Sequence, residues 1–247
     1  MSTPDAARQT VLRQRLDAVK ARIAAGTAAA GRGVEPELIV VTKFHPAADV
    51  VLLAGLGVSD VGENRDQEAA AKAAELNADG VRLRWHFIGQ LQSNKAKSVA
   101  NYASAVHSVD RLSLVSALAR AAAAALAEGR RAEPLGCFIQ VDLDAEPVGT
   151  QRLRGGARPG EVPGIADAIA AETSLELRGV MAVAPLGADP VAAFARLARV
   201  SAELRRSHPG ATEISAGMSA DLEAAIAHGA THLRVGSDVL GPRPVVR

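Results

Sequence analysis

The sequence contains one cysteine and few aromatic residues, and both shortages exclude classes of function. Cys137 is the single cysteine among 247 residues, so the chain forms no internal disulfide, and its apolar neighbours are typical of a core position. The six aromatic residues do not interleave with the basic clusters, which argues against a nucleic-acid surface. Because 28 basic residues balance 27 acidic ones, the net charge of +1 supplies no general attraction to nucleic acid or to an anionic membrane. Any ligand site must therefore be local.

Long apolar runs are also missing. No stretch approaches the ~18 consecutive apolar residues of a membrane span. Charged residues at seven of the first 30 positions leave no room for a secretory signal. Together with the single cysteine, these features predict a cytoplasmic protein in a reducing compartment.

Lysine is scarce, although arginine is abundant. Arginine supplies 23 of the 28 basic residues, and lysine supplies five, at positions 20, 43, 72, 95 and 97. Where a sequence uses arginine for its surface cations, a lysine indicates a need for an amine that can lose its proton. Lys20 and Lys72 fall on the polar faces of predicted helices, where we expect them to be solvated. Lys95 and Lys97 follow the third strand, and their role is left open.

The sequence does contain a regular alternation of short apolar runs and helical segments. Helical segments follow most runs, several of them closed by glycine, and a long amphipathic helix over 3–31 precedes the first run. Strands that are apolar on both faces and alternate with helices predict a parallel sheet covered by helices. The runs are rich in β-branched residues and predict buried strands at 38–43, 60–64, 85–89, 105–110, 136–143, 176–184, 213–218 and 232–240.

Eight such units in about 250 residues are the usual size of a (β/α)8 barrel. A doubly wound open sheet is the alternative, because strand counting does not show closure. Its glycine fingerprints for phosphate, G-x-G-x-x-G and G-x-x-x-x-G-K-[ST], are missing. We therefore predict a single α/β barrel domain over 1–247 with an extra N-terminal helix, and a long loop over 144–164.

In a barrel of this kind, functional residues stand at the carboxyl ends of the strands. Lys43 ends the first strand at an apolar mouth, where loss of water favours the neutral amine that forms a Schiff base. The alternative is a lysine that reaches into solvent. Asn64 ends the second strand. His86 lies on the third, where it fits a core histidine equally well, and the histidines show no metal-ligand spacing.

Two turns of small residues follow the last two strands. Ser219, which comes directly after Met218, is predicted as the N-cap of a helix over 221–229, and Gly236 with Ser237 repeats the arrangement. Turns after strands seven and eight commonly bind phosphate in barrels, and two unrelated helix caps are the alternative. Arg234 lies two residues before Gly236 and so points to the same side, where it contacts a ligand or forms an ion pair with a barrel carboxylate.

Several motifs resemble those of the pyridoxal 5'-phosphate (PLP) homeostasis proteins, which are relatives of the barrel domain of alanine racemases. The motifs are VTKFHP (41–46), VGENRDQE (61–68), WHFIGQLQSNK (85–95), LRGVMAVAP (177–185) and the segment 213–241. The resemblance spans nearly the whole chain and implies a (β/α)8 barrel that binds PLP as a Schiff base on Lys43. The other residues that it implies for PLP binding are Ser219, Gly236 and Ser237 at the phosphate, with Met218 beside them, Arg234 at the pyridine nitrogen, and Asn64 and His86 near the ring.

The resemblance also limits the expected chemistry. An arginine at the pyridine nitrogen disfavours protonation of the ring and so weakens PLP as an electron sink. Racemisation needs a second acid–base group opposite the lysine, a tyrosine in the two-domain racemases, and this chain has one tyrosine, Tyr102. We expect a monomeric carrier or buffer of PLP without significant catalysis, with PLP-dependent apoenzymes as candidate partners. The alternatives are a weak amino-acid racemase and a phosphate-binding lyase that uses Lys43 without PLP.

Two segments depart from the family pattern. The family's E-N-Y-x-x-E reads ENRDQE at 63–68, which places Arg65 at the rim of the expected site. The lysine that many members carry after the fifth strand is missing from 148–156. Lys95 and Lys97 are then the remaining loop lysines for a second PLP position.

Overall fold

The eight predicted apolar runs form the strands of a closed parallel barrel in a computed structural model, which describes residues 3–144 and 155–242. The strands follow one another around the barrel in sequence order. Val40 lies opposite Val61 on one side and Val235 on the other, so the last strand pairs with the first and closes the sheet. The predicted barrel is confirmed, and the open sheet is wrong. The strands are β1 (Glu37–Val41), β2 (Asp60–Glu63), β3 (Arg84–Phe87), β4 (Ala103–Val109), β5 (Leu135–Gln140), β6 (Leu175–Met181), β7 (Glu213–Ser215) and β8 (His232–Val235).

One helix precedes the first strand, and a helix follows every strand. The predicted N-terminal helix is confirmed, and Leu12, Leu16, Val19 and Ile23 form its buried stripe against the barrel. The helices are α1 (Thr3–Ala29), α2 (Ala47–Gly55), α3 (Asp66–Ala78), α4 (Ala96–Tyr102), α5 (Leu112–Ala127), α6 (Val162–Ala170), α7 (Pro190–Ser207), α8 (Leu222–Ala227) and α9 (Ser237–Leu240).

Several boundaries differ from the prediction, two of them at or near the expected site. The run 232–240 is a strand only to Val235, because the chain turns at Gly236 and continues as α9. The predicted loop over 144–164 ends earlier, since α6 begins at Val162 with a proline in its first turn, a position where proline is tolerated. Within that loop, residues 145–154 lie outside the described residues. Helix α4 is too short to show helical periodicity in the sequence.

Cys137 lies in β5 and is fully buried, as predicted for a core position. Burial raises the pKa of its thiol to about 12. The thiol is therefore protonated at neutral pH and unreactive as a nucleophile.

Candidate cofactor site

A cavity of about 470 Å³ opens at the carboxyl ends of the strands, and seven of the eight predicted site residues line it. His86 does not line this cavity. The turns after β1, β2, β7 and β8, with Arg234 on β8 itself, bring the seven together, although they are spread over almost 200 positions of the sequence. The predicted residues in the lining are Lys43, Asn64, Met218, Ser219, Arg234, Gly236 and Ser237, and the others include Val41, His45, Ile88, Gly89 and Val183.

Lys43 stands in a tight turn directly after β1. The turn closes where the backbone N–H of His45 donates to the carbonyl oxygen of Thr42 at 3.1 Å. Phe44, the next residue, has a φ of +68°, in the left-handed region that residues with a side chain rarely adopt. Lys43 is half-buried, in keeping with its predicted place at the barrel mouth.

The two turns after β7 and β8 face each other across one end of the cavity. The hydroxyl oxygens of Ser219 and Ser237 lie 3.4 Å apart. The prediction that Ser219 caps α8 is wrong, because Asp221 occupies that position. The Asp221 carboxylate accepts from the backbone N–H of Met218 at 2.6 Å and so shapes the turn. The Ser219 hydroxyl is thereby left to face Ser237.

Arg22 on α1 braces both turns from behind. It donates to the carbonyl oxygen of Ser219 at 3.0 Å and to the carboxylate of Asp238 at 2.7 Å. A third contact, to Glu223 at 2.9 Å, ties it to α8. This role is not evident in the sequence, because Arg22 is one of many charged residues on α1 and only the packing of α1 against α8 and α9 reveals its partners.

Arg234 is buried beneath the cavity, with only 4% of its surface exposed. It donates to the hydroxyl of Ser215 at 2.6 Å and to the carbonyl oxygen of Ala182 at 2.8 Å. Among the described residues no carboxylate lies within ion-pair distance of it. Burial lowers the pKa of Arg234 to about 10, so the guanidinium is still protonated at neutral pH.

A continuous series of hydrogen bonds, which we call the polar axis, runs from Arg234 down through the barrel interior. The Ser215 hydroxyl is 2.8 Å from Nδ1 of His107, and Nε2 of His107 is 2.8 Å from Nδ1 of His86. Nε2 of His86 lies 2.9 Å from the carboxylate of Asp60, the first residue of β2. The polar axis (Asp60, His86, His107, Ser215 and Arg234) therefore joins the cavity to the opposite end of the barrel. His86 belongs to this axis.

The groups at the two ends of the polar axis determine which atoms along it carry protons. Burial raises the pKa of Asp60, but hydrogen bonds from His86 and Arg84 outweigh burial and hold that pKa well below its ordinary value. Burial lowers the pKa of His107 well below the ordinary value, so its ring is neutral. If His107 donates to His86, its Nδ1 accepts from Ser215, whose oxygen accepts from Arg234. In this arrangement each hydrogen bond from Arg234 to Asp60 has one donor and one acceptor.

The remaining lysines occupy different environments. Lys20 is exposed, as predicted, but the prediction of a solvated Lys72 is wrong, because its side chain is only 8% exposed and pairs with Glu63 and Glu68. Lys97 is exposed. Lys95 lines a neighbouring cavity of about 750 Å³ together with Arg65 and Arg111, among others.

Comparison with known proteins gives this geometry its context. Residues 14–244 match the family model of the alanine racemase N-terminal domain. A Mycobacterium leprae protein named pyridoxal phosphate homeostasis protein is 44% identical over 246 residues, which cover 95% of this chain and 94% of the relative. The chain belongs to the pyridoxal phosphate homeostasis protein family. The resemblance seen in the sequence is therefore confirmed.

Solved structures place the family in a wider fold group. PipY of Synechococcus elongatus, solved with PLP bound, is 33% identical with a TM-score of 0.75, and the match covers 93% of this chain and all of PipY. Alanine racemase of Corynebacterium glutamicum has a TM-score of 0.63 at 18% identity, and the match covers 98% of this chain but 61% of the racemase. That second likeness shows the shared barrel alone.

The described part of this family member lacks two further features. No described helix is long and apolar enough to cross a membrane. No group of three or more histidine, cysteine or acidic side chains in residues 3–144 and 155–242 is arranged to hold a metal ion.

Proposed function

We propose that this protein binds PLP in the cavity at the carboxyl ends of the strands and acts as a PLP carrier or buffer in the cytoplasm. The observation that carries the proposal is that Lys43, the Ser219–Ser237 pair and Arg234 line one cavity. Relatives named for PLP homeostasis, and PipY with PLP bound, support the same ligand.

The residues of the cavity fit the chemical groups of PLP. The facing hydroxyls of Ser219 and Ser237 would donate to phosphate oxygens, and Lys43 would present the amine. Arg234 would donate to the pyridine nitrogen. Asn64 contributes an amide whose buried Oδ1 has no hydrogen-bond partner among the described residues, as expected of a group that awaits a ligand.

Bound PLP supplies an aldehyde, which condenses with an amine to form a C=N bond and release one water. The protein's own residues hold the reacting groups. Lys43 provides the nitrogen, and Arg234 keeps its proton, because its guanidinium is charged and the polar axis accepts its hydrogen bond. A ring nitrogen that faces a permanent cation is not protonated, which favours holding PLP over carbanion chemistry.

A weak amino-acid racemase is the second candidate function, because this chain shares the barrel fold of alanine racemase. The cavity geometry gives it little support. Tyr102 does not line the cavity, and burial raises the pKa of its hydroxyl, which donates towards Asp66 at 3.5 Å. His45 is the lining side chain best suited to move a second proton, and burial lowers its pKa. Exchange of the α-proton of L- and D-amino acids in heavy water tests this activity, and turnover at ~10 s⁻¹ would establish an enzyme.

The decisive experiment adds PLP to the purified protein and records the absorbance spectrum. We expect a band at about 420 nm. After reduction with borohydride, peptide mapping should locate the modified lysine at Lys43. Lys43→Ala should abolish the band, and Lys97→Ala, which removes an exposed lysine, should leave it intact. A wild-type protein that forms no such band, or a label that maps elsewhere, would refute covalent binding at Lys43.

The proposal extends to partners and assembly. We propose a monomer that forms one barrel domain over residues 1–247 and passes PLP to PLP-dependent apoenzymes. PLP-loaded protein should restore the activity of such an apoenzyme at a rate higher than the rate at which PLP is released from the carrier into buffer. Light scattering after size-exclusion chromatography tests the monomer, and a dimer mass would overturn it.

A further inference from the structure

We infer that Lys72 is a positioning residue for PLP binding: together with Glu63 and Glu68 it holds the turn that carries Lys43. The inference rests on the proposed function, in which Lys43 is the residue that bonds PLP. Lys72 lies on α3, outside the lining of the cavity. Its role would be exerted through the backbone on either side of Lys43.

The turn at Lys43 needs support from its surroundings. Phe44 adopts a left-handed φ of +68°, a conformation that persists only where neighbouring contacts hold it. Arg65 covers the Phe44 ring, with its guanidinium carbon 4.8 Å from the ring centroid. The backbone of Phe44 is held separately, because its N–H donates to the carboxylate of Glu68 at 2.8 Å.

The residue before Lys43 is tied to the same cluster. The Lys72 ammonium donates to the carbonyl oxygen of Thr42 at 3.1 Å, and the Thr42 hydroxyl donates to Glu63 at 2.7 Å. Lys72 also binds Glu63 at 2.8 Å and Glu68 at 2.7 Å. The backbone is therefore fixed on both sides of Lys43, by contacts that meet at Lys72.

The contacts account for a lysine at position 72 in a sequence that otherwise prefers arginine. An ammonium has three donors, and here the three reach Thr42, Glu63 and Glu68. The site is closed, since the side chains of Lys72 and Glu63 are 8% and 1% exposed. A planar guanidinium presents five donors in a fixed fork and does not fit three converging acceptors around one point.

Loss of Lys72 should leave the fold intact and loosen the turn. Burial raises the pKa of Glu63 and the Lys72 ammonium lowers it, so loss of the ammonium raises that pKa further and makes the neutral carboxyl easier to reach. Glu68 then has no cation to hold it against the Phe44 N–H. The amine of Lys43 would still be present but would sample more positions relative to the PLP aldehyde.

The test separates binding of PLP from bond formation. Lys72→Met is compared with the wild type and with Lys20→Met, which removes an exposed lysine from α1. Pyridoxamine 5'-phosphate, which has the phosphate and ring but no aldehyde, reports noncovalent binding. Stopped-flow growth of the absorbance band at rising PLP concentrations gives the half-saturating concentration and the limiting rate.

We expect Lys72→Met to bind pyridoxamine 5'-phosphate with the wild-type affinity and to form the band with a limiting rate about 10- to 100-fold lower, the size of effect produced by a misplaced reacting group. Lys20→Met should match the wild type in both. A folded Lys72→Met protein with an unchanged limiting rate overturns the inference. A drop only in melting temperature, with an unchanged rate, assigns Lys72 a structural role and overturns it equally.

Two further outcomes are separable. If Lys72→Met does not fold, Glu68→Gln replaces it, since Glu68 is half-buried and its amide still accepts from Phe44 while the charge is lost. The same selective fall in limiting rate is expected, and an unchanged rate overturns the inference. If the wild type itself forms no band, the proposed function fails; if the wild type forms it and the variants match it, only the positioning role fails.

Discussion

The polar axis makes a quantitative prediction about the dependence of stability on pH. His107 lies at its centre and is fully buried, with its ring stacked on Phe138 at a centroid distance of 4.2 Å. Because its folded pKa is lowered, its contribution to stability is fully present above the unfolded pKa and is lost as the pH falls below it. His107→Gln keeps an amide donor and acceptor but removes the titrating ring.

The size of the effect follows from proton uptake by the unfolded chain alone. A histidine with an unfolded pKa of about 6.5 that stays neutral when folded loses about 2 kcal/mol of stability between pH 7 and pH 5. His232, whose pKa burial lowers to about 4, adds a similar loss in both proteins, so the difference between them isolates His107. The free energy of unfolding of His107→Gln should therefore fall about 2 kcal/mol less than that of the wild type over this range.

Urea unfolding at pH 5, 6 and 7, followed by far-UV circular dichroism and by Trp85 fluorescence, measures the two free energies. His208→Gln removes a half-buried histidine that pairs with the exposed Asp167, outside the polar axis, and controls for general effects of losing a histidine. His107→Gln is expected to be less stable than the wild type at pH 7. The comparison therefore rests on how steeply the free energy of unfolding of each protein changes with pH. Equal slopes for His107→Gln and wild type would falsify the neutral buried His107 and the proton arrangement built on it.

Three further predictions concern the cavity. Ser219→Ala combined with Ser237→Ala should weaken PLP retention without changing the circular dichroism spectrum, and unchanged affinity would place the phosphate elsewhere. Arg22→Met should speed PLP release severalfold, because both turns lose the contacts of Arg22. The free energy of unfolding should change by about 1 kcal/mol or less, since Arg22 is partly exposed. A PLP release rate equal to that of the wild type in stopped-flow measurements would contradict this prediction. Gly217→Ala should lower the free energy of unfolding by about 1–3 kcal/mol, since φ is +92° and the added Cβ would lie 2.7 Å from Cβ of Ala225; urea unfolding that shows no loss would argue against this turn.

The barrel and most of the candidate site could be predicted, because both follow from local patterns. Apolar β-branched runs such as 38–43 mark buried strands, and topology alone then gathers the strand ends at one face. Lys43, Ser219 and Arg234 were found in that way. Arg234 was also placed on the correct side by the alternation of side chains along a strand.

The contacts that support the site could not be predicted, since each depends on which elements pack together. Lys72 follows Glu68 at i,i+4, a spacing equally typical of a solvated helix face, and its burial comes from Glu63 and the end of β1. For the polar axis a signal did exist. Asp60, His107 and Ser215 are polar residues inside runs that are otherwise apolar, and buried polar groups require partners.

The supports of the cavity have a consequence for how its two ends behave under mutation. Arg22 on α1 holds the turns at Ser219 and Asp238, whereas Lys72 on α3 holds the turn around Lys43, and the two sets of contacts share no residue. Sites without shared partners contribute additively to free energy. The effects of Arg22 and Lys72 substitutions on the free energy of unfolding should therefore add, so the two ends of the cavity can be altered from two different helices without one change masking the other.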